Sequence, residues 1–445
     1  MAQGRDGISL AHARWLKLAG VARRLSLVAA VVVIAALVAG TADTSYAKNV
    51  LLDTVVVSNY GAAFDGSVET FAAGSGPNAK PEYWIHGTNT LLGISTGAAG
   101  DAQSSLNGDI AVTVPLVLLP FPFPNGFVEI YPFGANGNSS FAEIIASPAG
   151  FPDLTGLSLP QGVAFEDPFD GLHTLGTDIV AVANYTPAVV EPDLGIPGLG
   201  LCAPNAPGFS LGTITEYDKT TLTPGVNDIP PLDNSPVIAL TSATPPAPYS
   251  HNATIGGCDT YLLGPVGLAF DAEGFLSVVD EAGPFVTVYE PGAHGNAIPL
   301  AFIGAVGATA GAFKDPMYVA VSSGVSEPPF GFPDDVIYVT DAGDNSIKIF
   351  APFTNCFTAG LPFACEGTEL GVIQGGRTKL NRPEGIALDA DGDALYVVNH
   401  NGNSLLEFEA VGTSGGNIAP TLIISGKATK MNLPVGVALS QFTAP

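Results

Sequence analysis

The sequence predicts an all-β chain, a β-propeller of six four-stranded blades closed by pairing of its first and last strands. Three observations carry this. A proline-anchored strand motif recurs along the chain: "LSLPQGVAF", "LLGPVGLAF", "FKDPMYVAV", "LNRPEGIAL" and "MNLPVGVAL". The prolines stand at 160, 265, 316, 383 and 434, a basic spacing of 51 stretched by insertions. Between them run short apolar segments punctuated by Gly, Asn, Asp and Pro, with no apolar period of 3.6 residues long enough for a helix.

Composition agrees. Of 445 residues only 13% are charged, 54 are Gly and 37 are Pro, which breaks the chain too often for long helices. The hydrophobic fraction of 47% is enough for a sizeable core.

Each unit then unfolds in the same order. After the proline motif comes a second run such as "LYVVN", "LSVVD" or "IYVTD", then a third such as "SLLEFEA", "FVTVYEP", "SIKIFAP", "GTITEYD", "FVEIYPF" or "GSVETFA". A fourth follows in "GTSGGNIAPTLIISG", "GAHGNAIPLAFIGA" and "GANGNSSFAEIIAS". Full units are placed at 157–245, 262–305, 313–375 and 380–425, with an irregular one at 91–150. The chain enters on a second-strand sequence, "LLDTVVVSNYG", and leaves on a first-strand sequence, "MNLPVGVALSQF". Pairing those halves gives the sixth blade and replaces two exposed edges by a hydrogen-bonded ladder.

The Pro-x-Gly-[Val/Ile]-Ala start, the "LYVVN" or "IYVTD" second strand and the "SIKIF" third strand resemble NHL repeats. The likeness is clear at 262–305, 313–350 and 380–426, partial from 157 and poor before 150. It implies a propeller fold and little about activity, since such propellers include binding scaffolds, lyases and hydrolases.

The first 47 residues read as an export signal. Arg14, Lys17, Arg23 and Arg24 precede the apolar run Leu25–Gly40, and Ser45-Tyr46-Ala47 forms a small-x-small cleavage pattern. An uncleaved membrane anchor is the alternative, because the run approaches the roughly 17 residues that span a bilayer. The Arg23-Arg24 pair is a weak twin-arginine feature, with polar Ser26 where such signals are apolar. The expected mature domain is 48–445, in an extracytoplasmic compartment and monomeric.

The chain carries a net charge of -26, and losing the basic signal would make it more acidic still. Such a surface repels nucleic acid and anionic lipid. Expected partners are a protein or a neutral or cationic small molecule.

Cys202, Cys258, Cys356 and Cys365 form an even set in an exported chain, which favours disulfides. Cys356 and Cys365, close together in "TNCFTAGLPFACEG", are expected to bridge, leaving Cys202 for Cys258. These cysteines sit in the Pro/Gly-rich insertions 186–210, 221–261 and 351–368, whose loops are candidates for recognition.

"DADGD" looks like a calcium loop, but Gly392 falls at its fourth position and His400 at its twelfth, where an EF-hand needs Gly at six and Glu at twelve. Aligned with "DAEGF", it reads instead as a hairpin turn with Asp391-Gly392 and Glu273-Gly274 at the tips.

Two rings of equivalent positions are candidates for a site at the channel mouth. The residues after the prolines are Gln161, Val266, Met317, Glu384 and Val435, too apolar for a calcium cage. The second strands end in Asn59, Asn184, Asp280, Asp341 and Asn399. These either cap turns through backbone amides or contact a ligand. Under an enzyme reading, a lyase or lactonase-like hydrolase, calcium or zinc would sit on Asp280, Asp341, Glu384 and Asn399, with His400 as proton acceptor. Histidines lack metal-ligand spacing and no nucleophile elbow or phosphate loop occurs. The balance favours a binding module without a cofactor.

Overall fold

The computed structural model describes residues 51–443 apart from 62–65, 88–96, 101–108, 116–124, 133, 147–154, 167–178, 186–211, 219–221, 223–224, 228–253, 306–308, 323–325, 328–331, 334, 355–364, 390–393, 410–412 and 414. The expected signal segment, Cys202, Cys356 and the Asp391-Gly392 tip lie outside the described residues. Among those described there is no α-helix, and no helix is long and apolar enough to cross a membrane.

Six blades are present. Blade 1 holds β1 (Leu51–Asn59), β2 (Ser67–Ala72) and β3 (Tyr83–Ile85). Blade 2 holds β4 (Gly97–Gly100), β5 (Ile110–Val114), β6 (Phe127–Tyr131) and β7 (Glu143–Ile145). Blade 3 holds β8 (Pro160–Glu166), β9 (Ile179–Asn184), β10 (Thr213–Asp218) and β12 (Thr254–Ile255), with β11 (Gly225–Asn227) inside its insertion. Blade 4 holds β13 (Pro265–Phe270), β14 (Leu276–Asp280), β15 (Phe285–Tyr289) and β16 (Ala301–Ile303).

Blade 5 holds β17 (Pro316–Ser322), the short hairpin β18 (Ser326–Glu327) and β19 (Phe332–Pro333), then β20 (Val336–Asp341), β21 (Ser346–Ala351), β22 (Cys365–Glu366) and β23 (Thr368–Gln374). Blade 6 holds β24 (Pro383–Leu388), β25 (Ala394–Asn399), β26 (Ser404–Glu409), β27 (Gly415–Gly416) and β28 (Leu422–Ser425). The last strand, β29 (Pro434–Thr443), joins blade 1 in the order β29-β1-β2-β3, the expected closure across the termini. Blade 3 runs further than its sequence span of 157–245, because its insertion separates the third strand from the fourth and puts the latter at 254–255.

The proline motif has a mechanical basis. In blades 3 to 6 the proline opens the inner strand opposite the Asx that ends the second, as in Pro265 against Asp280 and Pro383 against Asn399, and a bulge follows at once. Proline, with no N–H to place, suits a strand's first position. The glycine two residues later is needed because inner strands converge on the axis: a Cβ on Gly162 would lie 2.1 Å from the Val266 carbonyl oxygen, and one on Gly385 2.5 Å from that of Val435.

Each outer strand is latched by the connection between third and fourth strands of the next blade. Strands β11, β22 and β27 pair parallel with β7, β16 and β23. Gly137 bridges to Ile85 and Gly295 to Ile255, and the Asn78 amide donates to the Ser425 carbonyl at 2.8 Å. Parts of the insertions expected to serve recognition therefore cover sheet edges. Asparagine side chains complete several latches: Asn136 Oδ1 accepts from the Trp84 amide, Asn296 Oδ1 from Asp259 and Asn417 Oδ1 from Arg377. The apolar core lies between neighbouring sheets, as where Val266, Val286, Phe313, Val339 and Phe350 pack together across blades 4 and 5.

Candidate functional site

The five second-strand ends are buried, between 0% and 2% exposed. Their polar atoms are spent on the chain itself. Asp280 Oδ2 accepts the amides of Leu263 (2.6 Å) and Gly264 (2.8 Å), and Oδ1 that of Gly283 (2.7 Å). Asp341 accepts from Lys314, Asp315 and Gly343 and pairs with Lys348 Nζ at 2.6 Å. Asn184 accepts from Ser158 and donates to Val182 and Thr215; Asn399 accepts from Asn381 and donates to Lys379 and Ser404. Asn59 accepts from Asn432 across the closure and donates to Glu69. Each clamps the loop entering its blade's inner strand.

Burial raises the Asp280 carboxyl to about 6, against the pull of its three amides. Burial would raise Asp341 too, but Lys348 and the amides hold it below the usual carboxylate range. A calcium or zinc ion on these two side chains would have to displace that whole set of donors, so they do not fit a metal site as they stand.

In four of these five blades the residue just past the strand end faces the channel instead. Tyr60, Tyr185, Glu281 and His400 line a cavity of about 650 Å³ at the mouth of the channel. All five residues that follow the prolines line it too: Gln161, Val266, Met317, Glu384 and Val435. Arg382, Asn401 and Leu433 close its rim, and Tyr318 enters where blade 5 replaces the motif glycine.

One sector is charged. Glu384, 3% exposed, accepts from Arg382 Nε at 2.9 Å through Oε1 and holds Oε2 3.4 Å from His400 Nδ1, a contact short of hydrogen-bond geometry. A guanidinium nitrogen of Arg382 also lies 3.7 Å from Asp315. Arg382 holds φ at 51°, in the left-handed region, where the amide donates to Asn345 Oδ1. The Tyr60 ring stands edge-on to His400, centroids 6.4 Å apart. Burial and the charges of Asp315 and Glu384 push the Glu281 carboxyl up, with Arg382 opposing.

Sequence reasoning reached Glu384 and His400 but passed over Glu281, Arg382 and the tyrosines. The signal that could have found them is the polar or aromatic residue next to four of the five Asx, and the broken glycine at Tyr318.

At the other end of the same strands Asp271, Glu273 and Asp335 bring carboxylate oxygens within 4.8 Å of one another. Burial, then the hydrogen bond and charge of Asp335, push the Asp271 carboxyl up. Asp271 also accepts the Glu273 and Phe275 amides, and Gly274 takes φ of 85° there, as the turn reading of "DAEGF" expects. No described cysteine is free, and Cys365 is buried in β22.

Fold and site define a six-bladed β-propeller with a mixed polar and aromatic cavity at its channel mouth. No family model matches the chain, and no curated protein is similar enough to match. Among solved structures it is similar to the periplasmic gluconolactonase of Pseudomonas aeruginosa, 16% identical over 88% of this chain and 100% of that one, with a TM-score of 0.47. The nidogen/laminin complex gives 12%, 87%, 98% and 0.44. A putative 6-phosphogluconolactonase of Bacteroides fragilis NCTC 9343 gives 13%, 89%, 99% and 0.42. Likeness at this level carries no argument about chemistry.

Proposed function

We propose that this protein is an extracytoplasmic, NHL-like propeller that binds a small neutral or cationic molecule at its channel mouth. The observation that carries this is convergence: the inner strands and the residues just past the second strands, from five blades, send side chains into one cavity of about 650 Å³. That volume lies within the roughly 300–1,000 Å³ of small-molecule sites. Its wall combines apolar Val266, Met317 and Val435 with polar groups on the blade 4 to blade 6 side. The acidic charge of the chain directs the choice toward neutral or cationic ligands.

Thermal denaturation of the purified protein against a panel of sugars, amines and amino acids tests this. Ligands should raise the melting temperature of the wild type and not of Met317→Trp, which fills the mouth. Shifts that survive Met317→Trp would place binding elsewhere, on the stapled loops or another surface.

A hydrolase or lyase is the second reading, favoured by the contact between Glu384 and His400. There Glu384 orients the imidazole, and His400 accepts a proton from water or substrate. His400→Ala and Glu384→Gln would then abolish turnover, and elemental analysis would decide whether a metal takes part.

Export through residues 1–47, with cleavage after Ala47, belongs to the same proposal, as do a monomeric state and the bridges Cys202–Cys258 and Cys356–Cys365. N-terminal sequencing of secreted protein, gel filtration and a peptide map without reductant test them in turn.

A further inference from the structure

Among the described residues the cavity wall holds two carboxylates, Glu281 and Glu384, and one guanidinium, Arg382. Arg382 is committed, its Nε to Glu384 at 2.9 Å and a guanidinium nitrogen to Asp315 at 3.7 Å. His400 stands against the other oxygen of Glu384. Glu281 is different. It is half-buried in the same wall, and among the described residues no cation lies within ion-pair distance of its carboxylate. The charges that bear on it are mostly of its own sign, Asp315 and Glu384, with Arg382 in partial opposition. Asp280 behind it is fully buried and already used by three amides.

Aromatic rings flank this corner. Tyr185 lies close enough to Glu281 for the carboxylate, after burial, to hold its hydroxyl protonated, and it packs beside Gly264 of blade 4. Tyr318 comes from the inner strand of blade 5, where burial, Glu384 and Glu281 act in the same direction. A tyrosine that stays a neutral phenol keeps a negative ring face and offers no competing charge.

From these residues we infer that the channel mouth takes an organic cation, an amine or quaternary ammonium, with Glu281 as counter-ion and Tyr185 and Tyr318 as its aromatic walls. The inference rests on the small-molecule reading above and narrows it. A neutral ligand would strip water from Glu281 without replacing it, at a cost that a cation repays. A bare calcium ion would need six to eight oxygens, whereas this mouth presents Val266, Met317 and Val435. An organic cation uses both surfaces, its charge on the carboxylate and its carbons on the rings and apolar side chains.

Isothermal titration of the full chain with choline, and with its uncharged isostere 3,3-dimethyl-1-butanol, separates charge from shape. Choline should bind about tenfold tighter than the isostere, and added salt should weaken it. Glu281→Gln, which keeps volume and fold, should cost about tenfold for choline and nothing for the isostere. Tyr185→Leu should weaken choline as well, with the melting temperature of both variants read alongside. Equal affinity for choline and the isostere, or undiminished affinity in Glu281→Gln, overturns the cation inference and leaves the small-molecule reading standing. Failure of choline, tetraethylammonium and benzyltrimethylammonium to saturate overturns it as well. The wider reading then falls only if the ligand panel also gives no shift sensitive to Met317→Trp.

Discussion

Asp280 and Glu281 are consecutive acids with opposite surroundings. Asp280 is fully buried and gives its two oxygens to three backbone amides, while Glu281 lines the channel-mouth cavity with no cation in contact among the described residues. A single step past the strand end separates a structural clamp from a surface that can meet a ligand.

Asp280→Ala should therefore destabilise the fold by about 3 kcal/mol, since it leaves the amides of Leu263, Gly264 and Gly283 without their acceptor in a buried place. Asp280→Asn, which keeps an acceptor, should lose less. Chemical denaturation of the two variants checks the difference, and equal losses would count against the clamp.

Blade 5 solves the same problem with a charge pair. Lys348 lies 2.6 Å from Asp341, whereas blade 3 places Thr215 opposite Asn184 in the equivalent arrangement. Lys348→Met should cost about 3–5 kcal/mol, because Asp341 would remain buried and unpaired. The double variant Asp341→Asn with Lys348→Thr copies blade 3 and should recover most of that loss in a urea titration. A double variant no better than the single one would refute the equivalence.

Stability should fall as pH rises from mildly acidic to alkaline. Burial raises Glu69 from 4.5 to about 8, even though Ser67 and Asn59 donate to it, and burial also raises Glu129. Native protein then holds more protons than unfolded chain between those values, so stability present below pH 4.5 is progressively lost toward 8, by a few kcal/mol for one such group. Glu69→Gln should flatten the melting temperature across that window. A profile as steep as the wild type's would assign the slope to other groups.

The latch between blades 3 and 4 should be measurable at Asn296, whose Oδ1 accepts the Asp259 amide at 2.7 Å and whose Nδ2 donates to the Asp259 carboxylate at 2.6 Å. Asn296→Ala should cost about 1–2 kcal/mol and speed hydrogen exchange of Gly256 and Asp259 before that of β14. Uniform acceleration over both blades would mean that the latch does not act locally.

Much of this molecule was legible in the residues. The Pro-x-Gly repeat, the count of six blades and the closure of blade 1 follow from local pattern, because period-two apolar runs and their turn residues dictate strands wherever they occur. The repeat prolines even located the cavity: all five following residues line it. The latches lie in "GANGN", "GAHGN" and "GTSGGN", where local pattern shows only the approach to a fourth strand, since their partners lie in the preceding blade.

What the sequence by itself determined was therefore the architecture and the level at which the cavity opens. Only the tertiary structure decided which of two neighbours enters that cavity, Asp280 or Glu281, Asn399 or His400. The physical reason is that one neighbour ends the strand and the other begins the turn, and the surroundings that each meets are supplied by blades far apart in the chain. The same holds for the charges. Arg382 and Asp315 meet across two blades, so the guanidinium that acts on Glu281 is shared with Asp315 and Glu384.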